Sequence, residues 1–192
     1  MPFILDIVVA ADTPLFPGVA GLVRSARASS EYPESLQFHW ITLKADMDAA
    51  RDALSRNDYS SAVQQLDAVL AKTPNNAEAR FLKGLALARS GDTAAALDAF
   101  NALVADNPEM AEAWNNLGVL RARNNDLEGA QAALEKAVEI NPQHGPAQEN
   151  LGDIYVAMAQ GAYARAGELE SDNAIARAKS QQLAEFIGGG MS

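Results

Sequence analysis

Asn116 and Asn150 stand 34 residues apart, with Asn115 beside the first. A side-chain amide donates and accepts at once, so two of them at a repeating interval could hold the backbone of a partner. A solvated Asn on a helix is the competing reading, and the sequence leaves both open. Arg51, Arg89 and Arg123 form a second set. A guanidinium grips a carboxylate through two parallel donors, so these could form a stripe for an acidic segment. Surface ion pairing with neighbouring Asp and Glu explains them equally well. Asp46 and Asp48 spell Asp-x-Asp, a metal-binding spacing, within ADMD (45–48). They open a helical segment, where a solvated helix start is the plainer reading. His39 and His144 are far apart, and there is no cysteine for a thiolate or disulfide. A Gly-rich phosphate loop, a metal-ligand cluster and a nucleophile elbow are all missing from the sequence. These residues point to binding rather than catalysis, with no metal and no cofactor.

Bulk composition narrows the partner. Hydrophobic residues make up 48% and charged residues 21%, enough apolar side chain for a core and too little charge for wholesale disorder. The net charge is −10. Phosphate binding needs clustered Lys and Arg, so nucleic acid and an anionic membrane surface are both disfavoured. The opening MPFILDIVVAAD has no basic leader and carries Asp6 inside its short apolar run. A secretory signal is not expected, nor a membrane span, which needs ~18 apolar residues. The expected location is the cytoplasm.

The elements that must position these residues follow a period of 34. Pro74, Pro108 and Pro142 keep it, as do Ala62, Ala96 and Ala130, and Asp58, Asp92 and Asp126. So do Gly84, Gly118 and Gly152, Leu66, Phe100 and Leu134, and Val69, Leu103 and Ala137. Each column has a job. The small residues suit close helix approach, and the large apolar ones fill the space around it. Asn57, Gly91 and Asn125 tolerate the left-handed backbone that ends a helix, and the Asp that follows each can cap the next. Each Pro stops a helix. One unit therefore reads as helix, tight turn, helix, stop.

This pattern resembles the tetratricopeptide repeat family over about residues 43–187. The fullest unit carries Trp114, Leu117, Gly118, Ala130, Leu134 and Pro142, with Arg121 where the family has Tyr. A fourth unit opens with Leu151, Gly152 and Tyr155. The units run 44–76, 77–110, 111–144 and a shortened 145–173. About five residues are missing from the last, at the helix–helix turn, predicting a compressed turn or a nearly continuous bent helix around 157–162. AIARAKSQQLAEFI (174–187) reads as the end helix, and 188–192 as a flexible tail. The resemblance implies a mainly α, right-handed solenoid whose groove holds a partner peptide or helix. The family's groove slots fall on Met47, Arg51, Leu54, Phe81, Leu85, Arg89, Asn115, Asn116, Val119, Arg123, Asn150 and Asp153, with Phe81 equally readable as core. Relatives that clamp a chaperone's C-terminal carboxylate use a Lys, Asn and Arg set. Met47 and Arg51 stand in the first two places here, which disfavours that partner.

Residues 1–43 lie outside the period. FILDIVVAA reads as a strand, 18–30 as a helix and LQFHWITL (36–43) as a second strand, a βαβ unit. It resembles the opening of retaining nucleotide-sugar glycosyltransferases of the glycogenin and lipopolysaccharide galactosyltransferase kind. That resemblance implies nucleotide binding at Ala11 and Asp12, though Leu15 replaces the usual Tyr and the remaining strands have no room. Two further readings follow: a glycosyltransferase remnant fused to repeats, and a homo-oligomer formed through the open edge of the N-terminal strands.

Overall fold

The computed structural model describes residues 34–189, and within them it has eight helices and no strand. They fall into two compact units that divide between Asp106 and Asn107.

The first unit contains α1 (Glu34–Ser55), α2 (Tyr59–Lys72), α3 (Ala77–Ser90) and α4 (Thr93–Asp106), each packed on the next. The expected left-handed positions are there: Asn57 at φ 59° and Gly91 at φ 90°. The aspartates that follow them cap the next helices, with Asp58 accepting from the Ser61 N–H at 3.2 Å and Asp92 from the Ala95 N–H at 3.1 Å. Hydrogen bonds from the Ser61 side chain and backbone hold the Asp58 carboxyl below the ordinary carboxylate value. The Ala62, Leu66 and Val69 columns are buried, as are Ala96, Phe100 and Leu103 one period on. Phe81 meets Phe100 edge to face, with ring centroids 5.7 Å apart.

The second strand of the expected βαβ segment is overturned here. Residues 36–43 lie inside α1. Aromatic and β-branched residues such as Trp40 and Ile41 favour strands only weakly, and context overrides that preference. Leu43, Met47, Ala50 and Leu54 are buried along one helix face at intervals of four, three and four. Extending a nucleated helix backwards costs far less than starting a new element. The first strand and the 18–30 helix of that expectation lie outside the described residues.

The second unit contains α5 (Ala111–Arg123), α6 (Leu127–Ile140), α7 (Gly145–Leu169) and α8 (Ala174–Gly189). Asn125 is left-handed at φ 63°, and Asp126 caps α6 by accepting from the Gly129 N–H at 2.9 Å. Val119, Ala122, Ala130, Leu134, Leu151 and Ile154 make one core cluster. Gly118 is a true close approach: a Cβ there would sit 2.6 Å from Leu134 Cγ and 3.2 Å from the Ala130 carbonyl oxygen. Gly152 departs from its column, because a Cβ there would meet nothing within 4 Å. The shortened repeat explains this. α7 runs unbroken through 157–162, so no short second helix folds back over its first turns. α8 packs instead on the later part of α7, where Lys179 lies over the Tyr163 ring at 4.9 Å. α8 extends through Gly189, two residues past its expected end.

Candidate functional site

α5 and α7 open the third and fourth repeats, and they touch each other as well as α6 between them. That packing brings three amides together. Asn115 and Asn116 are 0% exposed and Asn150 is 6% exposed. Asn150 Nδ2 donates to Asn115 Oδ1 at 2.9 Å. Asn115 Nδ2 then has no partner, and neither do Nδ2 and Oδ1 of Asn116. A buried polar group without a partner costs ~1–3 kcal/mol, so most native interiors avoid one. Here three such atoms sit in two consecutive residues. The unpartnered set is two amide nitrogens and one amide oxygen.

Carboxylates flank the amides. Glu149 and Asp153 are one turn apart on α7, with Asn150 on the same side of the helix. Glu112 is one turn before Asn116 on α5. Among the described residues none of these three carboxylates forms an ion pair. Burial raises the Asp153 carboxyl above the ordinary value, and the neighbouring Glu149 charge raises it further. The first unit differs. Glu78, one period before Glu112, accepts an ion pair from Arg51 at 2.5 Å.

The other expected site residues are scattered. Met47, Leu54, Phe81 and Leu85 are buried in the first unit, and Val119 belongs to the core cluster of the second. Arg51 is engaged by Asp48 as well as Glu78. Arg89 and Arg123 occupy the last turns of α3 and α5 and are exposed. Arg123 has a partner of its own. Asp46 pairs with Lys72 of α2 at 2.7 Å and Asp48 with Lys44 of its own helix at 3.1 Å, so both carboxylates of the Asp-x-Asp spelling are engaged by lysines. Ala11 and Asp12 lie outside the described residues. No group of three or more His, Cys, Asp or Glu among the described residues is placed to hold a metal. A mainly apolar cleft between α2, α3 and α4 counts Arg80 and Lys83 among its lining residues, but these are paired with Asp106 and Asp67. His144 has a structural role that the sequence reading missed. Its Nδ1 accepts from the Ala147 N–H at 3.1 Å and caps α7. Position is the signal that could have found it, since it directly precedes Gly-Pro at a helix start.

The tetratricopeptide repeat profile matches residues 47–106 and 86–145, together 99 of the 192 residues (47 to 145). The chain belongs to the tetratricopeptide repeat family. No curated protein matches it in sequence. Solved structures with the same fold include the first tetratricopeptide domain of Spaghetti (RPAP3) bound to the HSP90 peptide SRMEEVD. It is 22% identical, with a TM-score of 0.58 over 61% of this chain and 93% of that one. The Sgt2 domain from Aspergillus fumigatus is 21% identical, with a TM-score of 0.60 over 63% of this chain and 82% of that one. MamA from Desulfovibrio magneticus RS-1 is 24% identical, with a TM-score of 0.55 over 78% of each chain. Among the described residues no helix is long and apolar enough to cross a membrane. At these identities the likeness speaks for the fold.

Proposed function

We propose that this protein is a non-catalytic interaction scaffold that binds an extended peptide segment of a protein partner. The observation that carries this reading is the buried Asn116 amide, with no partner for either its donor or its acceptor atom. The amide is enclosed in the free protein, so binding must uncover it; the peptide then supplies what is missing, a backbone carbonyl for Nδ2 and a backbone N–H for Oδ1. Asn115 Nδ2 takes a second carbonyl, while the bond from Asn150 holds that amide in the orientation required. A domain of the same fold has been seen with a peptide bound, which supports the class of ligand.

Affinity purification of the full-length protein, followed by mass spectrometry, tests the reading against the N116A/N150A variant. Partners recovered with the native protein should be lost with the variant while its circular dichroism stays helical. Recovery of the same partners at equal yield would refute it.

A further inference from the structure

The amides leave open which peptides this face selects, and the charges around them answer that. This step rests on the peptide-binding reading above. Glu149, Asn150 and Asp153 share one face of α7, because residues three and four apart on a helix are neighbours. Like charges at that spacing repel, so the pair is unfavourable in the free protein. No cation among the described residues relieves it, and Glu149 is the charge that acts on Asp153. Glu112 adds a third carboxylate a turn from Asn116. The contrast with the first unit shows that the fold can neutralise such a carboxylate from within, as Arg51 does for Glu78. In the second unit no cation among the described residues pairs with Glu112, Glu149 or Asp153, beside the amides that lack partners.

We propose that the second unit opens to bind an extended basic peptide, a Lys or Arg side chain against Glu149 and Asp153 at the surface and the peptide backbone on the Asn115 and Asn116 amides that opening uncovers. A guanidinium or ammonium there makes charge-assisted hydrogen bonds and cancels the repulsion between the two carboxylates. The same carboxylates repel a Glu- or Asp-rich peptide, so the face discriminates by sign as well as by fit. The net charge of −10 steers basic segments toward the protein at long range.

The test pans a random octapeptide display library against the full-length protein and against the E149Q/D153N and N116A variants. The wild type should enrich peptides carrying Lys or Arg, and E149Q/D153N should enrich peptides without that preference. A basic peptide selected on the wild type should bind E149Q/D153N about tenfold more weakly, and rising salt should weaken wild-type binding more steeply than variant binding. Glu149 is exposed and Asp153 half-buried, and both substitutions keep the side chain's size, so circular dichroism of the variant should match the wild type. Enriched peptides with no excess of Lys or Arg, or equal affinity for E149Q/D153N, would overturn the charge selection while leaving peptide binding in place. If the wild type enriches no peptide at all, or N116A enriches the same peptides as strongly, the peptide-binding reading falls and this one with it.

Discussion

Asn150 donates its amide N–H to the Asn115 side-chain oxygen at 2.9 Å, inside a site that excludes solvent. This one bond joins the first helices of two successive repeats and sets which way the Asn115 amide faces. It engages the side-chain oxygen of Asn115 and leaves its nitrogen unpartnered, next to an Asn116 that has used neither group.

Stability and binding should therefore oppose each other at Asn116. Its unpartnered amide costs the free protein ~1–3 kcal/mol, and Asn116→Leu removes that cost at similar size. Urea denaturation of Asn116→Leu should give a higher midpoint than wild type, while partner binding is lost. A lower midpoint, with unchanged slope, would mean that the amide is satisfied in the free protein and that the site is ordinary core.

The periodic glycines on α5 and α7 should respond in opposite directions. Gly118→Ala drives a methyl into Leu134 and the Ala130 carbonyl, and overpacking of this kind costs ~1–3 kcal/mol. Gly152→Ala meets open space in mid-helix and should gain ~0.5–1 kcal/mol from helix propensity. Thermal melts of the two variants separate them. A destabilised Gly152→Ala would show that α7 is approached closely there after all.

How much of this was legible in the sequence depended on whether the signal was local. The Asp caps after Asn57, Gly91 and Asn125 are local consequences of residue type and spacing, and the structure has them; the five-residue deletion left a compressed turn and a continuous bent helix both open, and α7 takes the continuous course. The 36–43 segment misleads because its β-branched and aromatic content masks its helical period. Leu36 and Trp40 continue the four-three-four spacing of Leu43, Met47, Ala50 and Leu54, and that spacing belongs to the helix that forms. The Asn cluster was legible only in part. Period places Asn116 and Asn150 in the same slot, but the bond runs from Asn150 to Asn115, since cross-helix pairing depends on how two helix faces rotate against each other. Gly152 keeps its column without its role, because α7 runs on unbroken and no short second helix folds back over it.

His144 gives a test of helix capping in the shortened repeat. Its Nδ1 can accept from the Ala147 N–H only while the ring is neutral. His144→Ala should cost ~1 kcal/mol and His144→Asn should restore most of it, since Asn is among the best capping residues. Hydrogen exchange at Ala147 reports the cap directly. Equal protection in the wild type and His144→Ala would show that the imidazole does not cap α7.

Asp153 predicts the pH dependence of the binding unit. Unfolded, its carboxyl titrates at the ordinary 3.8; folded, burial and then Glu149 push it higher. A raised folded value means that the native state holds the proton more tightly. The resulting stability is fully present below 3.8 and is lost as pH rises through the folded value. At neutral pH the ionised Asp153 is then a net cost, held under ~1 kcal/mol because solvent still screens the half-buried group. Asp153→Asn should melt slightly higher than wild type at pH 7, and the difference should vanish as both proteins are acidified below 3.8. A basic ligand at Glu149 and Asp153 favours the ionised form, so binding in the window around the folded value should release protons. Calorimetry in buffers of different ionisation heat measures that release. Proton uptake on binding would show that the ligand buries Asp153 without bringing a cation to it.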